Sequence, residues 1–192
     1  MKTKIVNLFG GPGTGKSTTA AGLFSELKLS GVNCEYVQEY AKDKAWEFGG
    51  TFHSTPKLFN AQEYIFGKQH FRLRRLIGEV DVIITDCPIF LSLIYMPDDF
   101  PLPSLRDVIF EAYDLYDNLN VFLHRAKEYN PKGRFQTEDQ AKGLDVKIRS
   151  MLDESATPYH QVNADRMAVS GIVDIMKQKW PSLLTDSKEE KG

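Results

Sequence analysis

The sequence is poor in the features that would settle its class at a glance. It holds two cysteines in 192 residues. Cys34 and Cys87 are too few for a disulfide framework and lack metal-site spacing, so a reducing compartment is expected. No apolar run is long enough to cross a bilayer as a helix. Met1–Leu8 has too short an apolar stretch for a secretory signal, and its Lys2 and Lys4 lead directly into a strand pattern. An excess of either charge is also missing. Lys and Arg number 24, Asp and Glu 26, for a net charge of -2. That balance argues against a broad, sequence-blind nucleic-acid binder and leaves room for a local basic patch. There is no internal repeat and no evident domain boundary. Hydrophobic residues at 42% and charged residues at 26% describe an ordinary globular chain, long enough for one domain with a sizeable core. A cytoplasmic location without membrane contact is the expectation.

What is present is an alternation of strand-like and helix-like segments. Lys4–Phe9 reads as a short buried strand. Lys16–Leu29 reads as a helix with Ala20, Leu23, Phe24 and Leu27 on one face, and Gly31 follows as a stop. Asn33–Gln38 predicts a second strand and Tyr40–Phe48 a helix, before Gly49 and Gly50 open a loop. Pro56 starts a long helix to about Gly78, with Phe66, His70, Leu73 and Ile77 on one stripe and Lys68, Arg72, Arg75 and Glu79 on the opposite one. Val80–Thr85 is apolar without alternation, as expected of a strand covered on both faces. Ile89–Tyr95 and Leu105–Asp117 read as helices around a Pro- and Asp-rich loop, and Asn120–His124 as the fourth strand. Thr137-Glu-Asp-Gln140 fits a capping box, opening a helix that turns Ala141, Leu144, Ile148 and Met151 inward. Tyr159–Val162 is the fifth strand and Arg166–Lys179 the last helix. The expected fold is α/β, a parallel sheet with helices on both faces. Residues 1–182 form the expected single domain, and 183–192 a polar, disordered tail, most clearly from Asp186 onward.

One motif carries chemistry by itself. Gly10-Gly-Pro-Gly-Thr-Gly-Lys-Ser17 matches G-x-x-x-x-G-K-[ST] in full, after a predicted strand and before a predicted helix, the context the motif requires. Its glycines let the backbone wrap around an anion with N–H groups inward. The helix beginning near Lys16 aims its positive end at the same place. Gly11, Gly13, Thr14, Gly15, Lys16, Ser17 and Thr18 are therefore the candidate phosphate-binding residues. Lys16 suits the β- and γ-phosphates of ATP, and the Ser17 hydroxyl suits Mg²⁺.

The rest of the chain narrows the class. The guanine-reading N-K-x-D and the D-x-x-G of GTPases are absent. Motor ATPases usually end the third strand in paired acidic residues, whereas here it ends in Asp86-Cys-Pro88. Small-molecule and nucleic-acid kinases remain. Asp86 stands at the carboxyl end of a buried strand, where ligands gather in open α/β sheets. It can hold the Mg²⁺ shell, orient an acceptor hydroxyl, or cap the turn before Pro88. Glu39, after the second strand, can take a proton from an attacking hydroxyl or serve as a charge at a helix start. Arg125, Lys127, Lys132 and Arg134 fall in an unpatterned basic segment. It reads as a lid over the triphosphate (about residues 125–136) or as a solvated loop. The stripe Lys68, Arg72 and Arg75 is a solvated helix face or a phosphate contact for a larger acceptor. His70 faces the apolar side of its helix and reads as a core histidine. His53, His124 and His160 show no metal spacing. Trp46, Phe48 and Phe52 fit core packing and an aromatic wall for a base equally well.

The set Gly10–Ser17, Glu39-Tyr-Ala-Lys42, Asp86-Cys-Pro88 and Arg125-x-x-x-Tyr129-x-x-x-Gly133-Arg134 resembles a family of bacterial and phage P-loop kinases. That family is related to the ribosylnicotinamide kinase domain of a bifunctional bacterial NAD-synthesis regulator. Within it the chain is most similar to phage proteins grouped with thymidylate kinases, some of which phosphorylate 5-hydroxymethyluracil in phage DNA on the way to hypermodified thymidine. The resemblance runs from Lys4 to about Lys179. It implies a five-stranded sheet in the order 2-3-1-4-5, with Lys16 and Ser17 on phosphate and Mg²⁺. Glu39 and Asp86 become carboxylates facing acceptor or metal, and Arg125 and Arg134 become lid arginines. The implied activity is transfer of the ATP γ-phosphate to a nucleotide-type hydroxyl, with modified DNA as the acceptor, in the host cytoplasm if the chain is phage-encoded. A free nucleoside or nucleoside monophosphate is the first alternative, and an ATP-dependent binding switch the second. Where thymidylate kinases carry an acidic-Arg-Tyr or acidic-Arg-Ser segment, this chain has Asp86-Cys-Pro88, so an arginine gripping a nucleoside monophosphate is missing there.

Overall fold

A computed structural model describes residues 2–47, 61–126 and 137–184. Its framework is one parallel sheet of five strands in the order β2-β3-β1-β4-β5, as expected. The strands are β1 (Lys4–Phe9), β2 (Cys34–Val37), β3 (Val82–Thr85), β4 (Asp117–His124) and β5 (His160–Asn163). The helices are α1 (Lys16–Leu29), α2 (Tyr40–Glu47), α3 (Gln62–Arg74), α4 (Leu91–Tyr95), α5 (Leu105–Asp114), α6 (Glu138–Glu154) and α7 (Ala168–Lys179), followed by a 3₁₀ turn at Pro181–Leu183.

The two-residue period of a strand divides the sheet between two cores. From β1, Ile5 and Phe9 join Ile83, Phe122 and the apolar faces of α3 to α6 on one side. Val6 and Leu8 join Val82, Ile84, Val121 and Leu123 with α1 and α7 on the other. The central strands are buried at nearly every position, which is why they read as continuous apolar runs. β5 is the outer strand on one side, and its His160, Gln161 and Asn163 are exposed. Polar side chains at a short edge discourage pairing with another chain.

Several boundaries differ from the sequence reading. β4 begins at Asp117, three residues before the expected start at Asn120, because its asparagines are satisfied by side-chain partners. Asn7 donates to Asn118 at 2.9 Å and to Asn120 at 3.1 Å. Asn120 in turn donates to the Pro158 carbonyl at 2.9 Å and accepts from the Tyr113 hydroxyl. A polar strand interior is stable when every member has a partner. The expected tail also starts too early at residue 183, since Leu183 is buried in the α1–α7 core. Asp186–Gly192 lie outside the described residues. The expected helix start at Pro56 also lies outside them, and α3 is described from Gln62.

At the start of α6 the capping box is present. Thr137 Oγ1 accepts from Gln140 N at 3.3 Å, and the Gln140 side chain accepts from Thr137 N at 2.9 Å. Thr137→Ala should lower stability by about 1 kcal/mol, read from urea unfolding curves.

Candidate active site

Strand β1 lies between β3 and β4, so the loop that leaves its carboxyl end sits at the middle of the sheet edge. Gly15 is the residue before α1 and has φ 102°, a left-handed conformation that disfavours a side chain. A Cβ there would also stand 3.1 Å from that of Ala164. No side chain caps α1, so its first N–H groups stay available to an anion. Thr14 Oγ1 donates to the Gly11 carbonyl at 3.0 Å and braces the turn. The Lys16 ammonium donates to the carbonyls of Gly10 and Gly11 at 2.7 and 3.0 Å, which holds it over the loop. Ser17 and Thr18 are exposed in the first turn of α1.

The register of β1 with β3 pairs Asn7 with Thr85, which brings the next residue, Asp86, beside the loop. Ser17 Oγ donates to Asp86 Oδ2 at 2.5 Å. Asp86 is only 4% exposed, and among the described residues its Oδ1 finds no hydrogen-bond partner. The Tyr36 hydroxyl, from β2, interacts with both Asp86 and Ser17. Burial first, and then the Asp86 charge, push that phenol well above its ordinary range. A hydroxyl and a buried carboxylate with a spare oxygen form a hard, oxygen-only donor set that suits Mg²⁺. Magnesium is commonly held by one or two protein groups together with substrate phosphates. The residues therefore fit the ion. Among the described residues no cluster of three His, Cys, Asp or Glu offers an all-protein metal cage, and this mode of binding requires none.

Glu39 follows β2 and reaches the same place. Burial raises its pKa, the Lys16 charge opposes that rise, and Asp86 adds to it. Lys16 shows the converse. Burial lowers its pKa, while Glu39, Asp86, Cys87 and Asp145 act to keep it charged. Lys16, Ser17, Glu39 and Asp86 thus share one electrostatic centre at the carboxyl ends of β1, β2 and β3. Arg125, at the end of β4, lies on the loop's other flank. Its Nε pairs with Asp145 Oδ2 at 2.7 Å and its Nη1 donates to the Pro12 carbonyl at 2.7 Å. Lys127, Tyr129, Lys132, Gly133 and Arg134 lie outside the described residues.

The remaining candidates fall away from this centre or into structural roles. Arg72 pairs with Asp43 at 2.7 Å and lies over the Tyr40 ring, and Lys68 lies over Tyr64. His70 stacks on Phe66 and bonds the Tyr116 hydroxyl at 2.6 Å. Burial lowers its pKa, in keeping with the core reading. His124 pairs with Gln161. Trp46 is exposed, which removes the core reading for it, while Phe48, Phe52 and His53 lie outside the described residues. Three groups at the site were not among the sequence candidates: Tyr36, Tyr95 and Asp145. Tyr95 ends α4 and is partly exposed; desolvation and then the charges of Glu39, Cys87 and Asp145 push its phenol up. Asp145 carried a signal, being an acid on the helix stripe that also buries Ala141, Ile148 and Leu152.

A glycine loop between a central parallel strand and an uncapped helix, backed by a Ser–Asp pair, defines a P-loop α/β protein. A family model described as an AAA domain, AAA_28, matches residues 5–168, and the chain belongs to that family. Two solved structures share the fold. One is the NadR protein in complex with NR, with TM-score 0.66 and 15% identity, covering 90% of this chain and 51% of that one. The other is the NadR protein in complex with NAD and AMP-PNP, with TM-score 0.64 and 13% identity, covering 92% and 49%. The chain thus spans about half the length of these proteins. No curated protein matches it in sequence.

Asp86→Asn should weaken ADP binding in the presence of Mg²⁺ by about tenfold or more, and binding without Mg²⁺ much less. Calorimetric titration under both conditions reads the difference.

Proposed function

We propose that the protein is an ATP-dependent kinase that transfers the γ-phosphate to a hydroxyl of a free nucleoside or nucleotide. The observation that carries this reading is the convergence of Lys16, the Ser17–Asp86 pair and the half-buried Glu39, whose basicity desolvation raises, at the carboxyl ends of three neighbouring strands. A phosphate cradle and a metal pair alone serve hydrolysis or switching equally well. A carboxylate with raised basicity beside them supports transfer to an acceptor that must lose a proton.

In this reading the loop amides, the α1 amino end and Lys16 bind the β- and γ-phosphates. Ser17 and Asp86 would hold Mg²⁺, which would neutralise phosphate charge and help orient the triphosphate. Glu39 accepts the proton of the acceptor hydroxyl as its oxygen forms a bond to the γ-phosphorus. The bond from that phosphorus to the β–γ bridging oxygen breaks, and ADP leaves with the electron pair. Lys16 offsets the charge that develops on the transferring group.

The finer acceptor suggested by family resemblance, 5-hydroxymethyluracil within DNA, has less support. The helix stripe that favoured it is largely engaged, with Arg72 on Asp43 and Tyr40 and Lys68 over Tyr64. A duplex base would also have to be flipped out to reach a recessed carboxylate. One fold neighbour is described with NR and the other with NAD and AMP-PNP, which makes ribosylated bases the first acceptors to try.

Incubation with γ-labelled ATP and separate acceptors tests the reading. These are free nucleosides including nicotinamide riboside, nucleoside monophosphates, ordinary DNA and DNA bearing 5-hydroxymethyluracil. Label on a nucleoside or nucleotide is expected. Label on modified DNA alone would move the acceptor to DNA, and phosphate release with no labelled acceptor would favour a binding switch. Lys16→Ala should cut transfer by about 100-fold or more.

The raised pKa of Glu39 gives a pH signature. As the base it must be ionised, so kcat/KM should rise with pH through an inflection above the ordinary carboxylate range. Glu39→Gln should lower kcat and abolish that inflection, whereas an unchanged profile would remove Glu39 from the role of base.

A further inference from the structure

The flank of the phosphate loop opposite Glu39 is held by a side chain that none of the foregoing chemistry uses. Asp145 projects from the second turn of α6 and accepts two hydrogen bonds. Gly11 N donates to its Oδ1 at 2.5 Å and Arg125 Nε to its Oδ2 at 2.7 Å. Arg125 completes the set by donating from Nη1 to the Pro12 carbonyl at 2.7 Å and from Nη2 to the Ala141 carbonyl at 3.2 Å. The pair is mostly enclosed, with side chains 14% and 15% exposed, so it is screened less than a surface ion pair. The approach is also close. A Cβ on Gly11 would stand 2.7 Å from the Ala141 carbonyl oxygen and 2.8 Å from Asp145 Oδ1.

The chain order gives this cluster its meaning. Arg125 is the first residue after β4, while Ala141 and Asp145 lie in the first two turns of α6. Two elements distant from the phosphate loop in the chain are therefore bonded to it, Arg125 after β4 to Pro12 and Asp145 of α6 to Gly11. We propose that Asp145 is a positioning residue for polyphosphate binding. It fixes the rim of the loop at Gly11 and holds Arg125 on that rim. Preorganisation of this kind acts on ligands that carry the phosphates, and acts through Arg125.

The inference rests on the loop being a nucleotide site, and not on any acceptor. Calorimetric titration of the full chain with ADP and Mg²⁺ tests it, with thermal melting run on each variant. Asp145→Ala is expected to weaken ADP by about tenfold, and Asp145→Asn, which keeps an oxygen for the Gly11 N–H, by a smaller factor of about threefold or more. In an Arg125→Met background, Asp145→Ala should cost less affinity than it does in the wild type, because the two side chains act as a unit. A merely structural role would lower the melting temperature without that coupling in affinity. Wild-type affinity in a folded Asp145→Ala protein, or fully additive losses, would overturn the proposal. Should the alanine variant fail to fold, Asp145→Asn decides alone, and a loss below about threefold overturns it. A wild-type protein that binds neither ADP nor ATP would instead sink the nucleotide-site reading itself.

Discussion

Parallel pairing of β1 with β3 sets the separation on which the site depends. With Asn7 opposite Thr85, the chain leaving β1 and the chain leaving β3 emerge side by side at one edge of the sheet. Slipping the register by one residue would turn every β3 side chain to the opposite face. It would expose Ile83 and Ile84 to the wrong cores and carry Asp86 away from Ser17. Both faces of the sheet are packed, so the hydrophobic cost of such a slip guards the 2.5 Å contact between Ser17 and Asp86. The cores on the two faces thus determine the geometry of a polar site that contributes little apolar burial of its own.

The site concentrates charge that the fold must tolerate. Burial favours the neutral forms of both Lys16 and Glu39, and each opposes that tendency in the other. Asp86, whose charge acts on both, is nearly sealed from water and has one oxygen unpartnered among the described residues. A buried, incompletely satisfied carboxylate is costly in isolation. Residues of this kind persist where a ligand completes them, and a divalent cation with its phosphates would complete this one. The same reasoning separates Asp86 from Asn120, whose side chain is also buried but fully bonded into a structural network.

Much of this was legible in the sequence, and the reasons differ by residue. The loop from Gly10 to Ser17 is a local object, with glycine conformations, helix start and lysine all adjacent in the chain. The class followed from alternating segments, because buried parallel strands are written as continuous apolar runs such as Val82–Thr85, and the sheet order from family resemblance. Strand edges were less legible. Asn118 looks like a loop residue until Asn7 is brought to it from far along the chain. Leu183 reads as the start of a polar tail until α1 and α7 enclose it. Arg125 is visible as a basic residue after a strand, but its pairing with Asp145 depends on the path of α6. Asp145 itself could have been found as the one acid on the inward stripe of that helix. The Lys68–Arg72–Arg75 stripe shows the limit of periodicity, which marks a face of the helix but not the Asp43 and Tyr40 that engage Arg72 there.

The central claim is that Ser17 and Asp86 form a metal site that is completed by nucleotide. Pulsed electron paramagnetic resonance of Mn²⁺ added to the protein with and without ADP tests this most directly. The account predicts weak Mn²⁺ binding to the protein alone. With ADP it predicts tight binding and hyperfine coupling to nucleotide phosphorus, lost in Asp86→Ala. Tight Mn²⁺ binding indifferent to ADP, or a bound Mn²⁺ without phosphorus coupling, would contradict it.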